Sequence, residues 1–366
     1  MRRLGERLFN SNIMSGLFAP NTGILSVIER LVFLCFMIRY SRLFLRKGVR
    51  GTYKQIIGSL FSSVRKLPGA GALIDSAMQQ QLVGIEKDLL GNGDSDAHIS
   101  LPATGMTRDE IFAEALRHSP TSDRKWGGVY HKSAGPLVDL QNAMWGRFNN
   151  TNTLYPTVFP AVRKFEAEIV SMVRSMLHGD SGCVGLLSSG GTESILLAVL
   201  AYREQGRARG IERPEIICGL SAHPALKKAC HYFSVSLKVL PLTAGMQLDP
   251  VLVSSRISPS TVAIYANAPS FSHGVVDDIE ALGRVAMEHQ IGLHVDNCLG
   301  GVLLSFLEKA GLFNRRWDFS VPGVTTISTD VHKYGQASKG VSVVCFRDAA
   351  LRKLTYVPSV DGCEGL

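Results

Sequence analysis

A chain of 366 residues, 45% apolar and 19% charged, can bury one large α/β core or two ordinary domains, which excludes a disordered or fibrous protein. Its formal net charge of +8 is local: residues 1–66 hold twelve Lys/Arg against Glu6 and Glu29, and the remainder carries a slight acidic excess. No nucleic-acid partner is expected from a charge so confined.

The seven cysteines, among them Cys183, Cys218, Cys230 and Cys298, show no C-x-x-C pairs and read as buried thiols of a reducing compartment. In the basic region 1–60, an apolar stretch near 24–45 is densest over 31–38 and is followed by Arg39, Arg42, Arg46, Lys47 and Arg50. That order fits a membrane segment whose C-terminal side faces the cytosol. Glu29 and Arg30 interrupt the run, so its unbroken part falls short of the ~20 residues of a span and an interfacial helix stays open. A cleaved presequence and a buried core helix are the remaining readings.

Residues 61–160 read as helical and connecting, punctuated at 91–96, Ser119-Pro120 and Gly127-Gly128. The rhythm then changes, and 161–366 form the expected large domain. A helical pattern at 165–177 precedes apolar runs at 183–187, 215–220, 237–242, 261–266, 291–295, 324–328 and 341–346. Helical patterns at 195–205, 225–233, 250–257 and 278–290 lie between the earlier runs. Short buried strands alternating with helices predict a mostly parallel sheet flanked by helices, with any ligand beyond the carboxyl ends of the strands.

Four groups follow predicted strands. Gly190, Gly191 and Thr192 open a helix, where glycines admit close approach, Thr192 offers a cap and exposed amides favour an anion. His223 follows the second strand, Asp296 ends the run 291–295, and His332 and Lys333 follow the run 324–328. Each alone fits an ordinary turn. Together they supply an anion cup, a ring face, a carboxylate for a pyridine nitrogen and an amine for an aldehyde, the parts that pyridoxal 5'-phosphate needs. His118, His131, His231, His273 and His294 lack metal-ligand spacing, so no metal site is expected.

The chain resembles the aspartate-aminotransferase-like fold (fold type I) of pyridoxal-phosphate enzymes, in the group that includes the amino-acid decarboxylases, and within it the sphingosine-1-phosphate lyase family. The resemblance runs through Arg65–Pro68, Asn152-Thr153-Leu154-Tyr155-Pro156, Val158–Pro160, Arg163–Glu168, Gly190–Leu196, Ala222-His223, His273–Val275, His294–Gly301 and His332–Gly335. It implies that Gly190, Gly191 and Thr192 bind the cofactor phosphate, His223 stacks on the ring, Asp296 holds the ring-nitrogen proton and Lys333 bonds the aldehyde. His332 is implied at the cofactor phosphate or the substrate, and Asn152 and Tyr155 at the substrate, with Tyr155 standing where the family usually has histidine. Lys333, His223 and Asp296 form the implied catalytic set.

The implied reaction is retro-aldol cleavage of a phosphorylated sphingoid base to a long-chain aldehyde and phosphoethanolamine. A homodimer at the endoplasmic reticulum membrane, its catalytic part facing the cytosol, is implied as well. Residues 360–364 resemble the approach to a small C-terminal α/β domain, which is expected to be absent. The alternatives are an amino-acid decarboxylase on the same cofactor and an inactive membrane-anchored scaffold.

Overall fold

The computed structural model describes Ile56 and residues 70–90, 104–117 and 135–357. The stretch near 24–45 and residues 360–364 lie outside the described residues, as do Cys35 and Cys363. Among the described residues, no helix is long and apolar enough to cross a membrane.

The chain divides into two compact units, residues 1–119 and 120–366. In the first, helix α1 spans Ala70–Leu90 and α2 spans Arg108–Arg117. Helix α2 starts with a capping box: Thr107 Oγ1 accepts from the Glu110 amide at 3.4 Å, and Glu110 Oε2 accepts from the Thr107 amide at 2.6 Å. Those bonds to Thr107 lower the pKa of the Glu110 carboxyl.

In the second unit, α3 (Pro136–Phe148) and α4 (Pro160–Met176) each begin on a proline, whose fixed φ suits a first helical turn. Helix α4 ends in a Schellman arrangement, with the Gly179 amide on the Arg174 carbonyl at 2.9 Å and His178 in the left-handed region at φ 52°. There follow β1 (Val184–Ser188), α5 (Gly191–Ala208), β2 (Glu215–Gly219), α6 (Pro224–Tyr232), β3 (Ser236–Leu240), α7 (Pro250–Ser254) and β4 (Thr261–Asn267). The order continues with α8 (Ile279–Glu288), β5 (Gly292–Asp296), α9 (Gly301–Lys309), β6 (Thr326–Asp330), β7 (Ser342–Phe346) and α10 (Ala349–Lys353).

All seven expected strands are present in one sheet, ordered β1-β7-β6-β5-β4-β2-β3. Pairing is parallel except around β7, which runs antiparallel to both β1 and β6. Period-two alternation sends Ile217, Ile264, Leu293, Val295 and Ile327 to a core with α4, α8 and α9. Ile216, Cys218, Ala263, Tyr265 and Val344 face the other core, with α5 and α6. Since helices cover both faces, strands such as β4 are buried at every position and read as unbroken apolar runs. The five described cysteines are free and buried, and burial pushes Cys218 and Cys230 up to about 12.

Because β7 runs against both of its neighbours, β1 points the same way as β6 and the parallel strands. The turns after β1, β2, β4, β5 and β6 therefore gather at one edge of the sheet.

Candidate active site

A cavity of about 350 Å³ opens at that edge, lined among others by Gly190, Gly191, Thr192, His223, Asp296, His332 and Lys333. The structure thus brings together every cofactor residue expected from the sequence. The first wall is the turn from β1 into α5. Gly190 is the N-cap residue at φ 146°, a backbone conformation open to glycine, and no side chain caps the helix. Thr192, the expected cap, sits in the first turn instead, and Glu193 Oε2 accepts from the Ser189 amide at 2.6 Å. First-turn amides have no intrahelical acceptor, which leaves those of Gly191 and Thr192 for an anion.

A chain of hydroxyls fixes this turn to the sheet. Ser188 Oγ meets Ser194 Oγ at 2.7 Å, Ser194 Oγ meets Ser342 Oγ at 2.9 Å, and Ser342 Oγ donates to the Thr329 carbonyl at 3.1 Å. The links join β1, α5, β7 and β6, so the turn after β1 and the turn after β6 are held as one piece.

His223 is the N-cap of α6. Its Nδ1 accepts from the Ala225 amide at 3.1 Å, which leaves the proton of the neutral ring on Nε2, and Phe271 packs edge-on at 5.2 Å. Across the cavity, Asp296 ends β5 with 8% of its surface exposed. Its Oδ1 accepts from the Cys298 amide at 3.0 Å and from Ser328 Oγ at 3.4 Å, while its Oδ2 accepts from the Tyr265 hydroxyl. Burial and the Asp296 charge raise the Tyr265 hydroxyl well above its ordinary value, so it stays a donor. Burial, reinforced by Asp296 and Asp330, likewise raises Cys298, which remains a neutral thiol.

The last wall is the turn after β6. Lys333 Nζ lies 3.0 Å from Asp330 Oδ2, and His332 Nδ1 meets the Val341 carbonyl at 2.7 Å while its Nε2 lies 3.7 Å from the same Asp330 oxygen. Gln141 of α3 donates to the Gln336 carbonyl at 2.7 Å, tying that helix to the lysine's loop. Asp330, Glu193, Phe271 and Lys339 also line the cavity and were not singled out from the sequence; Cys298 lines it too, read from the sequence only as a buried thiol. Asp330 had a legible signal, since it stands one helical turn before Lys333 in the run Thr329–Lys333.

Asn152 and Tyr155 are not brought to this cavity. Asn152 Oδ1 accepts from the Leu154 amide at 3.0 Å, and Tyr155 is exposed. Their neighbours Thr153, Leu154 and Pro156 line a separate groove of about 700 Å³ with Arg163, Arg174 and Arg352. Elsewhere, His178, Glu308 and Asp318 place ligand-type atoms within 4.8 Å of one another, and His178 Nδ1 is already bonded to Asp318 Oδ2 at 2.7 Å. No sequence spacing announces that group, whose members are far apart in the chain.

Pyridoxal 5'-phosphate fits this arrangement. Asp330 Oδ1 is buried in the cavity wall with no hydrogen-bond partner, and a Cβ at Gly191 would fall 2.7 Å from Cys298 Sγ, so only glycine leaves this wall open. A mostly parallel sheet with a glycine turn opening a helix, a histidine, a buried carboxylate and a lysine gathered at its carboxyl edge offers the parts a pyridoxal-phosphate protein needs. The pyridoxal-dependent decarboxylase conserved domain matches residues 130–357, and the chain belongs to that family.

The chain is 39% identical to sphingosine-1-phosphate lyase 1 of Rattus norvegicus over 318 residues, 84% of this chain and 55% of the relative. It is 38% identical to the Saccharomyces cerevisiae sphingosine-1-phosphate lyase over 326 residues, 85% of this chain and 54% of that one. Among solved structures, a Burkholderia pseudomallei sphingosine-1-phosphate lyase superposes with a TM-score of 0.69 at 38% identity, covering 74% of this chain and 65% of that one. The glutamate decarboxylase of Lactobacillus brevis, at 22% identity and a TM-score of 0.58, shares the fold over 71% of this chain and 63% of its own. The chain spans about half the length of the curated relatives it matches.

Proposed function

We propose that the protein is a pyridoxal-phosphate-dependent carbon–carbon lyase that cleaves sphingosine 1-phosphate or a related sphingoid-base phosphate to a long-chain aldehyde and phosphoethanolamine. The carrying observation is the gap in similarity: relatives named as sphingosine-1-phosphate lyases stand at 31–39% identity, whereas the glutamate decarboxylase stands at 22%. The cavity serves either chemistry, and the relatives favour the lyase.

When bound, the cofactor supplies an electron sink for the pair left on C2 as the C2–C3 bond breaks. Asp296 holds the ring-nitrogen proton that makes the sink effective. His223 covers one ring face and excludes water from it. Lys333 would hold the cofactor aldehyde through its amine, and Asp330, 3.0 Å away, orients that side chain. The α5 amides, with His332 and Lys339 on the same wall, receive phosphate.

The remaining parts of the reading are a homodimer, attachment through residues near 24–45, and a cytosol-facing catalytic part at the endoplasmic reticulum. Tyr155, exposed and away from this chain's own cavity, supports a contribution to a partner's site. The cluster Arg39–Arg50, after the densest apolar part at 31–38, supports the orientation. Light scattering of the purified chain tests the dimer, and alkaline extraction of membranes tests the attachment.

The deciding experiment incubates the purified chain and pyridoxal phosphate with sphinganine 1-phosphate and, separately, with a panel of aromatic and acidic amino acids. Long-chain aldehyde from the first supports the reading. Carbon dioxide from the second makes it a decarboxylase, and neither product from folded, cofactor-loaded protein makes it a scaffold.

A further inference from the structure

The geometry points to Tyr265 as the residue that positions Asp296 for the cofactor's ring nitrogen, through the hydroxyl it donates to Asp296 Oδ2. The inference rests on the cofactor assignment above and adds to it a residue that neither motif nor spacing announces. Two parallel rows of side chains cross the sheet on the α5 side. In the row next to the cavity, Asn267 of β4 pairs with Asp296 of β5, which pairs with Ser328 of β6. In the row beneath, Tyr265 pairs with His294, which pairs with Thr326. Side chains two residues apart on a strand share a face, so the lower row is the floor on which Asp296 stands.

The contacts of Asp296 show why Tyr265 matters. Oδ1 is held from two sides, by the Cys298 amide at 3.0 Å and Ser328 Oγ at 3.4 Å. Among the described residues, the hydrogen bond given to Oδ2 is that of Tyr265. Turning about the Cβ–Cγ bond moves both oxygens, so the grip of Tyr265 on Oδ2 adds to the hold on Oδ1 and narrows the range of the carboxylate plane. Carboxyl χ2 wells are broad, so the plane must come from partners.

Tyr265 is itself held rigidly. Its ring is buried and stacks on His294 at 5.2 Å and 30°. The His294 nitrogens meet Thr326 Oγ1 at 2.8 Å and Ser328 Oγ at 3.3 Å. Burial pushes His294 down to about 4, so at neutral pH the support beneath Asp296 is uncharged. A cation there would compete with the pyridinium for the carboxylate. A neutral phenol over a neutral imidazole orients the carboxylate and leaves its charge to the cofactor.

The test measures binding of two ligands to the full chain by fluorescence titration: pyridoxal 5'-phosphate, and its deaza analogue with C–H in place of the ring nitrogen. Losing a hydrogen bond to a charged group should weaken pyridoxal-phosphate binding to Tyr265→Phe roughly tenfold. Binding of the analogue, which asks nothing of Asp296, should change less than about twofold. Phe keeps the ring on His294, and Tyr265→Leu, tested alongside, should reproduce the same ligand selectivity if Phe disturbs folding. Equal losses for both ligands make Tyr265 a packing residue and overturn the assignment, as does no loss for either. Wild-type protein that binds neither ligand removes the cofactor reading and the assignment with it. Wild type that prefers pyridoxal phosphate, beside a Tyr265→Phe variant with the same preference, removes the assignment alone.

Discussion

Gly191→Ala strikes the cofactor wall with a single methyl group. A Cβ there would stand 2.7 Å from Cys298 Sγ and 2.9 and 3.1 Å from the two oxygens of Asp330, where ordinary contact begins at 3.4 Å. Neither neighbour yields easily. The Cys298 amide is bound to Asp296 at 3.0 Å, its thiol to Ser328 at 3.2 Å, and Asp330 holds Lys333 at 3.0 Å. Overpacking of this kind costs about 1–3 kcal/mol. At roughly 2–4 °C per kcal/mol for a domain of this size, the melting temperature should fall by about 2–12 °C. The assay is a thermal melt with and without pyridoxal phosphate, joined to a binding titration in which affinity also falls as Asp330 and Lys333 shift. Adding Cys298→Ala removes the shortest contact and should recover part of the melting loss. A Gly191→Ala protein that melts within about a degree of wild type and binds the cofactor equally would refute the wall's tight packing.

Lys333→Ala should bind pyridoxal phosphate only reversibly, so borohydride fixes no cofactor on the variant but fixes it on wild type; covalent labelling of the variant would move the amine elsewhere. Asp277→Ala strips acceptors from the amides of Leu248 and Asn267, each bonded at 2.8 Å. Leaving two buried donors unpaired should cost about 2–6 kcal/mol, read as a lower urea midpoint. The His178 pKa is raised, chiefly by its hydrogen bond to Asp318. A raised folded pKa contributes stability that is complete below the unfolded value and fades as pH climbs through the folded one, so His178→Ala should lower the melting temperature more at about pH 5.5 than at about pH 8.5. Equal losses at both pH values would remove the ion pair from that account.

The sheet was legible because helices cover both of its faces and turn each strand into an apolar run. Boundaries slipped where polar residues are buried for the site's sake. The run expected at 324–328 is β6 at Thr326–Asp330, whose Ser328, Thr329 and Asp330 are interior. Helix α9 was missed because Gly300 and Gly301 read as a loop, whereas a Cβ at Gly301 would come 2.4 Å from Thr329, so glycine there serves close packing of helix on strand. The expected cofactor residues were readable because each stands at the end of its strand or in the turn just beyond it. Tyr265 was not, because it reads as core, and only the pairing of β4 with β5 places it beneath Asp296.

The antiparallel insertion of β7 has a temporal side. Among the described residues, β1 pairs only with β7, with Val184 opposite Phe346, so the first described strand to leave the ribosome waits for the last described one. Until then the anion turn has its sequence but no floor, and β1 is an open edge that invites the wrong partner. Contacts of such sequence separation slow folding, and the cofactor pocket becomes competent only in the closing step of the sheet's assembly. Pyridoxal phosphate should therefore bind nascent chains only after residue 346 has cleared the exit tunnel, which makes holoprotein formation a late proofreading of a finished sheet.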